Sequence, residues 1–459
     1  MRILLAQPLG YLYTTGGAHK ANRMLMEGLA RREHNCRALT AYSSAESVKT
    51  REQFLSLLGE RGVGLSSSSA EEDVFTLESV EVHVSRDYLH QCARVSHHVK
   101  EFAPDWVLVS EDTASVMLGA ALEAAPARVV YISHSPSTLP FGPDSFAADP
   151  DKTALLKKCA GIITVSDYMR QYIERWSGIA SAAIKFPVYG AQPFPRFGGF
   201  DQGFVTMVNP CVIKGRAIFL ELARRFPEVE FAAVPTWGGA QKDLELIRDL
   251  PNVRIIPPSE RIDDILAQTR ILLAPSLWGE AFGQIVTEAM LRGIPVLASD
   301  SGGLPEAKLG TDYVLPVRRI EGYEPVLDEQ KRIEYVPIVP EQNVDPWEAA
   351  LREVLTDRST YEHVAEESRA AASNFVGGLG FRPFEQYLEG LVAEREKSEA
   401  QEEGSARGRG TELAGAMSGM SAEKRALIAR RLKGRLAEAL AKRQPAQENS
   451  FNGTGSKAS

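Results

Sequence analysis

Two successive series of short β-branched runs, each run followed by turn residues and a helical pattern, fill most of this chain. A single proline- and glycine-rich stretch separates them. Residues 186–203, Phe-Pro-Val-Tyr-Gly-Ala-Gln-Pro-Phe-Pro-Arg-Phe-Gly-Gly-Phe-Asp-Gln-Gly, hold three prolines and four glycines, which neither a helix nor a central strand tolerates. Before this linker, Arg2–Ala6, Trp106–Ser110, Arg128–Ser133 and Gly161–Ser166 read as strands. Lys20–Arg32, with apolar Met24, Leu25, Leu29 and Ala30, reads as a helix. After it, Phe204–Val208, Glu230–Val234, Val253–Ile256, Ile271–Ala274 and Pro295–Ser299 read as strands between helical segments. Runs of this kind suit parallel sheets covered by helices on both faces. The 459 residues exceed one ordinary domain of about 150. The expected fold is therefore α/β, with two doubly wound Rossmann-like domains facing a cleft, residues 1–190 and 200–375. Ligands bind such domains outside the carboxyl ends of the strands.

Three segments fall outside this plan. Residues 59–80, with Ser66–Ser69, read as a flexible loop, and residues 316–346, with five prolines, as an extended arm across the second domain. Residues 394–459 read as a flexible tail, interrupted by a basic amphipathic helix over 421–443 that opens at a capping Ser421. This segment carries eight basic residues against two acidic ones, the pattern of a helix that docks on a partner or lies at a membrane surface. It also resembles helical segments at the edges of nonribosomal peptide and polyketide synthase modules, which implies docking to such a complex or work on its product.

The net charge of −8 excludes a general electrostatic grip on nucleic acid. No apolar run reaches the roughly 20 residues of a transmembrane helix. The start, Met-Arg-Ile-Leu-Leu-Ala-Gln-Pro, lacks the features of a signal peptide. Cys36, Cys92, Cys159 and Cys211 are widely spaced, which matches neither a zinc site nor a disulfide framework and suits a reducing cytoplasm. The expected location is cytoplasmic, at the membrane periphery or on a synthase complex if the tail helix docks there.

The segment Trp278-Gly-Glu-Ala-Phe-Gly-Gln-Ile-Val-Thr-Glu288 carries the chemistry. A strand ends at Pro275, a loop presents Glu280, and a helix begins near Gly283–Gln284. Glu288 then lies about one turn inside that helix with its side chain tilted toward the N-terminus, so both carboxylates can face one cleft. Amides at a helix start suit a diphosphate, and carboxylates beside them accept hydrogen bonds from sugar hydroxyls.

Glu280, Phe282, Gly283 and Glu288 together resemble the E-x7-E motif of the retaining, GT-B fold glycosyltransferases of family four. Further motifs agree in order. Gly16-Gly17 precede a helix ending Leu29-Ala-Arg-Arg-Glu-His-Asn35, similar to the family's G-G…L-A-x-x-G-H. His134 ends a strand in Tyr-Ile-Ser-His-Ser-Pro, Lys214-Gly215 resembles the family's K-G, and Ser299-Asp-Ser-Gly-Gly-Leu-Pro-Glu306 its G-G-x-P-E loop. The resemblance spans roughly residues 1–391. It implies transfer of a hexose from a nucleotide-diphosphate sugar to a hydroxyl acceptor (a glycan, lipid or natural product), with retention and without a metal or other cofactor. The first domain would hold the acceptor and the second the donor.

Within that reading, Lys214 and the Gly283–Gln284 helix start meet the leaving diphosphate, whose charge grows as the glycosidic bond breaks. Gly16 and Gly17 let backbone approach the phosphates. Glu288 binds ribose hydroxyls, Glu280 holds the transferred sugar, and Gly302 and Gly303 line it. His134 serves as an active-site residue through a ring nitrogen or its carbonyl. A helix within 376–393 returns to the first domain. The chain departs from the pattern at Asn209, where an arginine is usual, so Lys214 and the helix start carry more of the phosphate charge, with Arg216 placed to compensate. It departs also at Glu33, where glycine is usual. Asp149-Pro-Asp151 reads as a turn, and adjacent His97 and His98 diverge on a helix, so no metal site is expected. Glu111-Asp112 could touch an acceptor. Alternatives on the same fold are a sugar-nucleotide epimerase and a non-catalytic partner of a peptide or polyketide synthase complex.

Overall fold

Ile3–Ala6 are wholly buried while Arg2 is exposed, so the first strand is apolar on both faces and lies inside a sheet. In the computed structural model, which describes residues 1–393 except 9, 13–15, 43–49, 111–114, 237–240 and 328–332, this strand is β1, Arg2–Ala6. Around it form β2 (Asn35–Ala41), β3 (Leu65–Ser68), β4 (Glu72–Leu77), β5 (Val80–Ser85), β6 (Trp106–Ser110), β7 (Val129–Ser133), β8 (Gly161–Thr164) and β9 (Ala182–Ala183). Their spatial order is β3-β4-β5-β2-β1-β6-β7-β8-β9. Because β1 pairs in parallel with β2 on one side and β6 on the other, the winding direction reverses at β1, which opens a crevice at its carboxyl end.

The second sheet repeats the device. It comprises β10 (Phe204–Val208), β11 (Phe231–Val234), β12 (Val253–Ile255), β13 (Thr269–Ala274), β14 (Val296–Ser299) and β15 (Val314–Leu315), in the order β12-β11-β10-β13-β14-β15. Here the reversal lies between β10 and β13. Trp347, Phe219, Phe231 and Leu351, all wholly buried, fill one face of this sheet. Among the described residues no helix is long and apolar enough to cross a membrane.

Two expectations fail. Residues 59–80 are not a loop: β3 and β4 extend the first sheet by antiparallel pairing onto β5. The serines sit on the open edge strand, where hydroxyls face water and no apolar partner is needed. Buried Asp73 anchors them, accepting from Ser68 Oγ at 2.5 Å and Arg51 Nη2 at 2.8 Å. The arm over 316–346 contains a two-stranded antiparallel hairpin, β16 (Gly322–Leu327) and β17 (Ile333–Ile338). Its prolines face tyrosines across the ladder, Pro325 opposite Tyr335 and Pro337 opposite Tyr323. Proline is tolerated because both strands are edges. Tyr323 packs edge-on against Phe146 of the first half, with ring centroids 4.9 Å apart.

After the second sheet the chain returns to the first. A helix opens at residue 382; Phe384 packs on Phe186 (4.8 Å), and Glu385 accepts two 2.8 Å hydrogen bonds from Arg32 and one of 2.9 Å from His34. Phe381 lies over Gly28, where an added Cβ would come within 2.0 Å of the ring. The segments 421–443 and Glu111-Asp112 lie outside the described residues.

Candidate active site

Most of the motif residues lie past the carboxyl ends of parallel strands, in loops that the two winding reversals turn toward each other. Gly16 and Gly17 follow β1, His134 follows β7, Asn209 and Lys214 follow β10, Glu280–Gly283 follow β13, and Gly302 and Gly303 follow β14.

The β13 loop is built on close backbone approach. Leu277 N donates to Ile213 O at 2.9 Å, which ties this loop to the 3-10 turn Val212–Lys214. Gly215, at φ +85°, lies so close to Pro275 that a Cβ would stand 2.0 Å from its carbonyl oxygen. Gly303 N donates to Glu280 O at 2.7 Å. A Cβ on Gly302 (φ +65°) would meet Glu280 N at 2.3 Å, and one on Gly303 would meet Ala281 O at 2.5 Å. These glycines therefore set the position of the Glu280 backbone. No larger residue fits there.

Lys214 and Glu280 form a direct ion pair, with Nζ on Oε1, and Ser276 Oγ donates to the same oxygen at 2.5 Å. The ammonium also lies 4.7 Å from the centre of the Trp278 ring. Burial pushes the Glu280 carboxyl up, but the ammonium and the hydrogen bonds from Lys214 and Ser276 outweigh it, so Glu280 is held below the usual carboxylate range. The result is a fixed anion and a fixed cation in one enclosed spot.

The helix Gln284–Leu291 starts at Gly283 (φ +100°), whose missing Cβ leaves room for Leu304. Its first residue faces the other half, since a Cβ on Gly17 would lie 3.0 Å from Gln284 Oε1. One turn on, buried Glu288 pairs with Lys20 at 3.2 Å. The Gly-Gly turn of the first half thus sits against the helix start of the second. Phe282 stacks on Phe375 at 5.8 Å and is largely buried.

Asn209 is buried with φ +61°, a left-handed conformation that asparagine tolerates better than arginine. Its backbone N donates to Val234 O at 2.8 Å. Arg216 opens the following helix, Arg216–Arg225, and is half-buried. Glu33 is likewise left-handed, at φ +67°, which explains why glycine suits that position.

His134 occupies a different environment. Its Nε2–H donates to Asn22 Oδ1 at 2.7 Å, because the Asn22 amide nitrogen already donates to Gln7 Oε1 at 3.0 Å. With the proton on Nε2, Nδ1 is left as an acceptor. Burial pushes the His134 ring down to about 3, with His19 adding to the shift, and burial alone takes His19 down to about 4. Both rings are neutral at physiological pH.

The sequence did not disclose several contributors. Lys20 is one, on the exposed-looking face of the first helix. Glu306, named only as part of the G-G-x-P-E loop, pairs with Lys185 and accepts from the amides of Asp167 (3.1 Å) and Tyr168 (3.2 Å). Buried Asp144 binds Arg319 at 2.6 Å and Tyr168 Oη at 3.0 Å, and this cluster closes over Gly279. Their only signal was opposite charge at long separation. A distinct pocket of about 690 Å³ lies between the linker and the helix Arg358–Gly377, lined by Arg196, Phe200, Arg358 and Tyr361. It contains none of the motif residues.

Two family models match the chain, a glycosyl transferase 4-like domain over residues 16–186 and glycosyl transferases group 1 over residues 203–324. D-inositol 3-phosphate glycosyltransferase of Mycobacteroides abscessus is 30% identical over 138 residues, covering 28% of this chain. The matched segment spans 30% of that relative's own length. Among solved structures, sucrose-phosphate synthase from Thermosynechococcus elongatus superposes with a TM-score of 0.60 at 13% identity, covering 87% of this chain and 100% of that one. HepE from Anabaena, in complex with UDP and glucose, gives 0.57 at 17% identity, over 85% and 99%. At such identities the likeness is one of fold.

Proposed function

The chain belongs to the group 1 glycosyl transferases and has the GT-B fold, and on that premise we propose that it moves a hexose from a nucleotide-diphosphate sugar to a hydroxyl acceptor with retention and without a metal. The observation that carries this reading is the Lys214–Glu280 pair, held against the backbone of Gly302 and Gly303 at the strand ends. A bound donor places its diphosphate between Lys214 and the amides at Gln284, where negative charge is favoured. Glu280, kept ionised, accepts from hexose hydroxyls, and Glu288 accepts from the ribose. Gly16 and Gly17 close on the phosphates from the first half.

In the reaction the bond from the anomeric carbon to the phosphate oxygen breaks and the acceptor oxygen bonds to that carbon on the same face. The acceptor proton passes to the departing phosphate. Lys214 stabilises the charge that builds there, which is the largest effect such a site offers. Neutral His134 donates no charge to the developing positive centre. Its role is to hold Asn22 and offer Nδ1 as an acceptor.

The residues past β1 and β7 would then receive the acceptor. The four cysteines, three of them buried, suit work in a reducing compartment. The reading is tested by screening nucleotide sugars for turnover with a mixed hydroxyl-acceptor panel and following the anomeric proton by NMR. A glycoside with the donor's configuration is expected. An inverted product would overturn retention, epimerised donor without transfer would favour the epimerase, and no turnover of any nucleotide sugar would overturn the proposal.

A further inference from the structure

Outside the cleft, three ligand-type side chains from three elements meet in the outer part of the first sheet. Glu72 on β4, His83 on β5 and His98 on the helix Tyr88–Phe102 are 9%, 7% and 1% exposed. One ligand atom from each lies within 4.8 Å of the others. His98 Nε2 is 3.2 Å from Glu72 Oε2, and His83 Nδ1 is 3.2 Å from Glu72 Oε1. The two imidazoles meet edge to face with centroids 4.6 Å apart.

The surroundings orient this group. Glu81 accepts from His83 Nε2 at 2.6 Å, and Arg37 holds Glu81 at 2.7 Å. A carboxylate on one imidazole nitrogen fixes the proton there and leaves the other nitrogen as a lone pair, the arrangement that accompanies metal-bound histidines. His83 Nδ1 is buried and lies 3.2 Å from Glu72 Oε1. The charge balance agrees. The connected ion pairs contain four carboxylates, Glu71, Glu72, Glu81 and Glu101, against two guanidiniums, Arg37 and Arg94. The carboxylates thus outnumber the guanidiniums by two. Arg94 holds Glu72 Oε1 at 3.1 Å, and Oε2 faces His98 Nε2.

We propose that Glu72, His83 and His98 bind one divalent ion of the zinc type, with water as the fourth ligand, which staples β4 and β5 to the helix above them. Bonds of about 2.0–2.2 Å to a tetrahedral ion place ligand atoms about 3.4 Å apart. The site therefore closes by side-chain rotations of about an ångström. Two imidazoles and one carboxylate select zinc, cobalt or nickel over magnesium or calcium. The adjacent His97 conceals the set in the sequence, because the companion of His98 is His83 on a strand. The site stands apart from the transfer reaction and does not depend on it.

The test uses the full chain, stripped with a chelator and titrated with Zn²⁺ by calorimetry, with bound metal counted after desalting. One ion per chain and a raised thermal midpoint are expected. No retained ion would overturn the proposal, as would undiminished uptake by His98→Gln. Should that variant fail to fold, Glu81→Gln keeps all three ligands; it is expected to weaken binding about 10–100-fold, and unchanged affinity would count against the site. Co²⁺ in place of Zn²⁺ should give the intense visible absorption of a four-coordinate ion. The faint spectrum of a six-coordinate one contradicts the assignment.

Discussion

The two walls of the cleft use opposite chemistry. In the second half the working groups are charged and fixed by backbone: Lys214 and Glu280 form an ion pair, and glycines at 215, 302 and 303 press other backbone segments against them. In the first half the corresponding position, past β7, holds His134 in a neutral chain of side-chain hydrogen bonds through Asn22 to Gln7. A leaving diphosphate needs fixed opposite charge, whereas a sugar or acceptor hydroxyl needs only donors and acceptors in the right place. On the proposed reading, the Lys214–Glu280 pair lies where the leaving diphosphate would gather charge, while the His134 wall stays neutral.

The sharpest way to break this comparison is to push the glycine wall. Gly302→Val adds a Cβ aimed at Glu280 N at a left-handed position. Displacing Glu280 by about an ångström should cost about 10²-fold in turnover. Gly190→Ala, also at positive φ (+85°) but with open space around it, should cost about 1 kcal/mol of stability and leave turnover intact. Equal kinetics in the two variants would show that the wall does not position Glu280.

The neutral half makes a pH prediction. An unfolded histidine protonates near 6.5, whereas folded His19 and His134 resist until about 4 and about 3. As pH falls through this window the unfolded chain binds more protons, so stability is full above 6.5 and declines toward 4.5. The decline reaches at most about 3 kcal/mol per ring. Urea unfolding from pH 7.5 to 4.5 reads it, and His134→Asn should flatten the slope. A stability that holds or rises on acidification contradicts neutral burial.

A smaller effect distinguishes binding from bond breaking. Glu288→Gln should raise the donor KM about 10-fold, the loss of roughly one charged hydrogen bond, with kcat little changed. A fall in kcat alone would move Glu288 from ribose binding to the reacting centre. The smallest effect concerns the clamp between the halves. Glu306 is partly exposed, so Glu306→Gln should lower the unfolding free energy read from urea titration by about 1 kcal/mol or less.

Much of this was legible because parallel strands buried on both faces leave continuous apolar runs. Arg2–Ala6, Trp106–Ser110 and Phe204–Val208 form with the bounds their composition dictates. The glycines of the β14 loop and the two glutamates are spaced by local geometry, so they too could be read. Edge strands could not. The serines of β3 and the prolines of β16 and β17 are polar or ring-locked, which an edge permits and a sequence pattern reports as loop. Long-range charge partners were equally hidden. Lys20 with Glu288, and Asp144 with Arg319, come from opposite halves, and nothing local records such a pairing. Asn209 is intermediate: the missing arginine was visible, but its left-handed backbone, which asparagine accommodates, was not.

The central claim is that Lys214 and Glu280 act together on a nucleotide-sugar donor. The direct measurement is nucleoside diphosphate release from the donor that the wild type turns over, compared with Lys214→Met and Glu280→Gln proteins whose circular dichroism matches wild type. Each variant should lose about 10²–10³-fold in kcat, and the double variant should lose little more than the worse single one, because the two groups work as a unit. Release at the wild-type rate in either single variant would contradict the account.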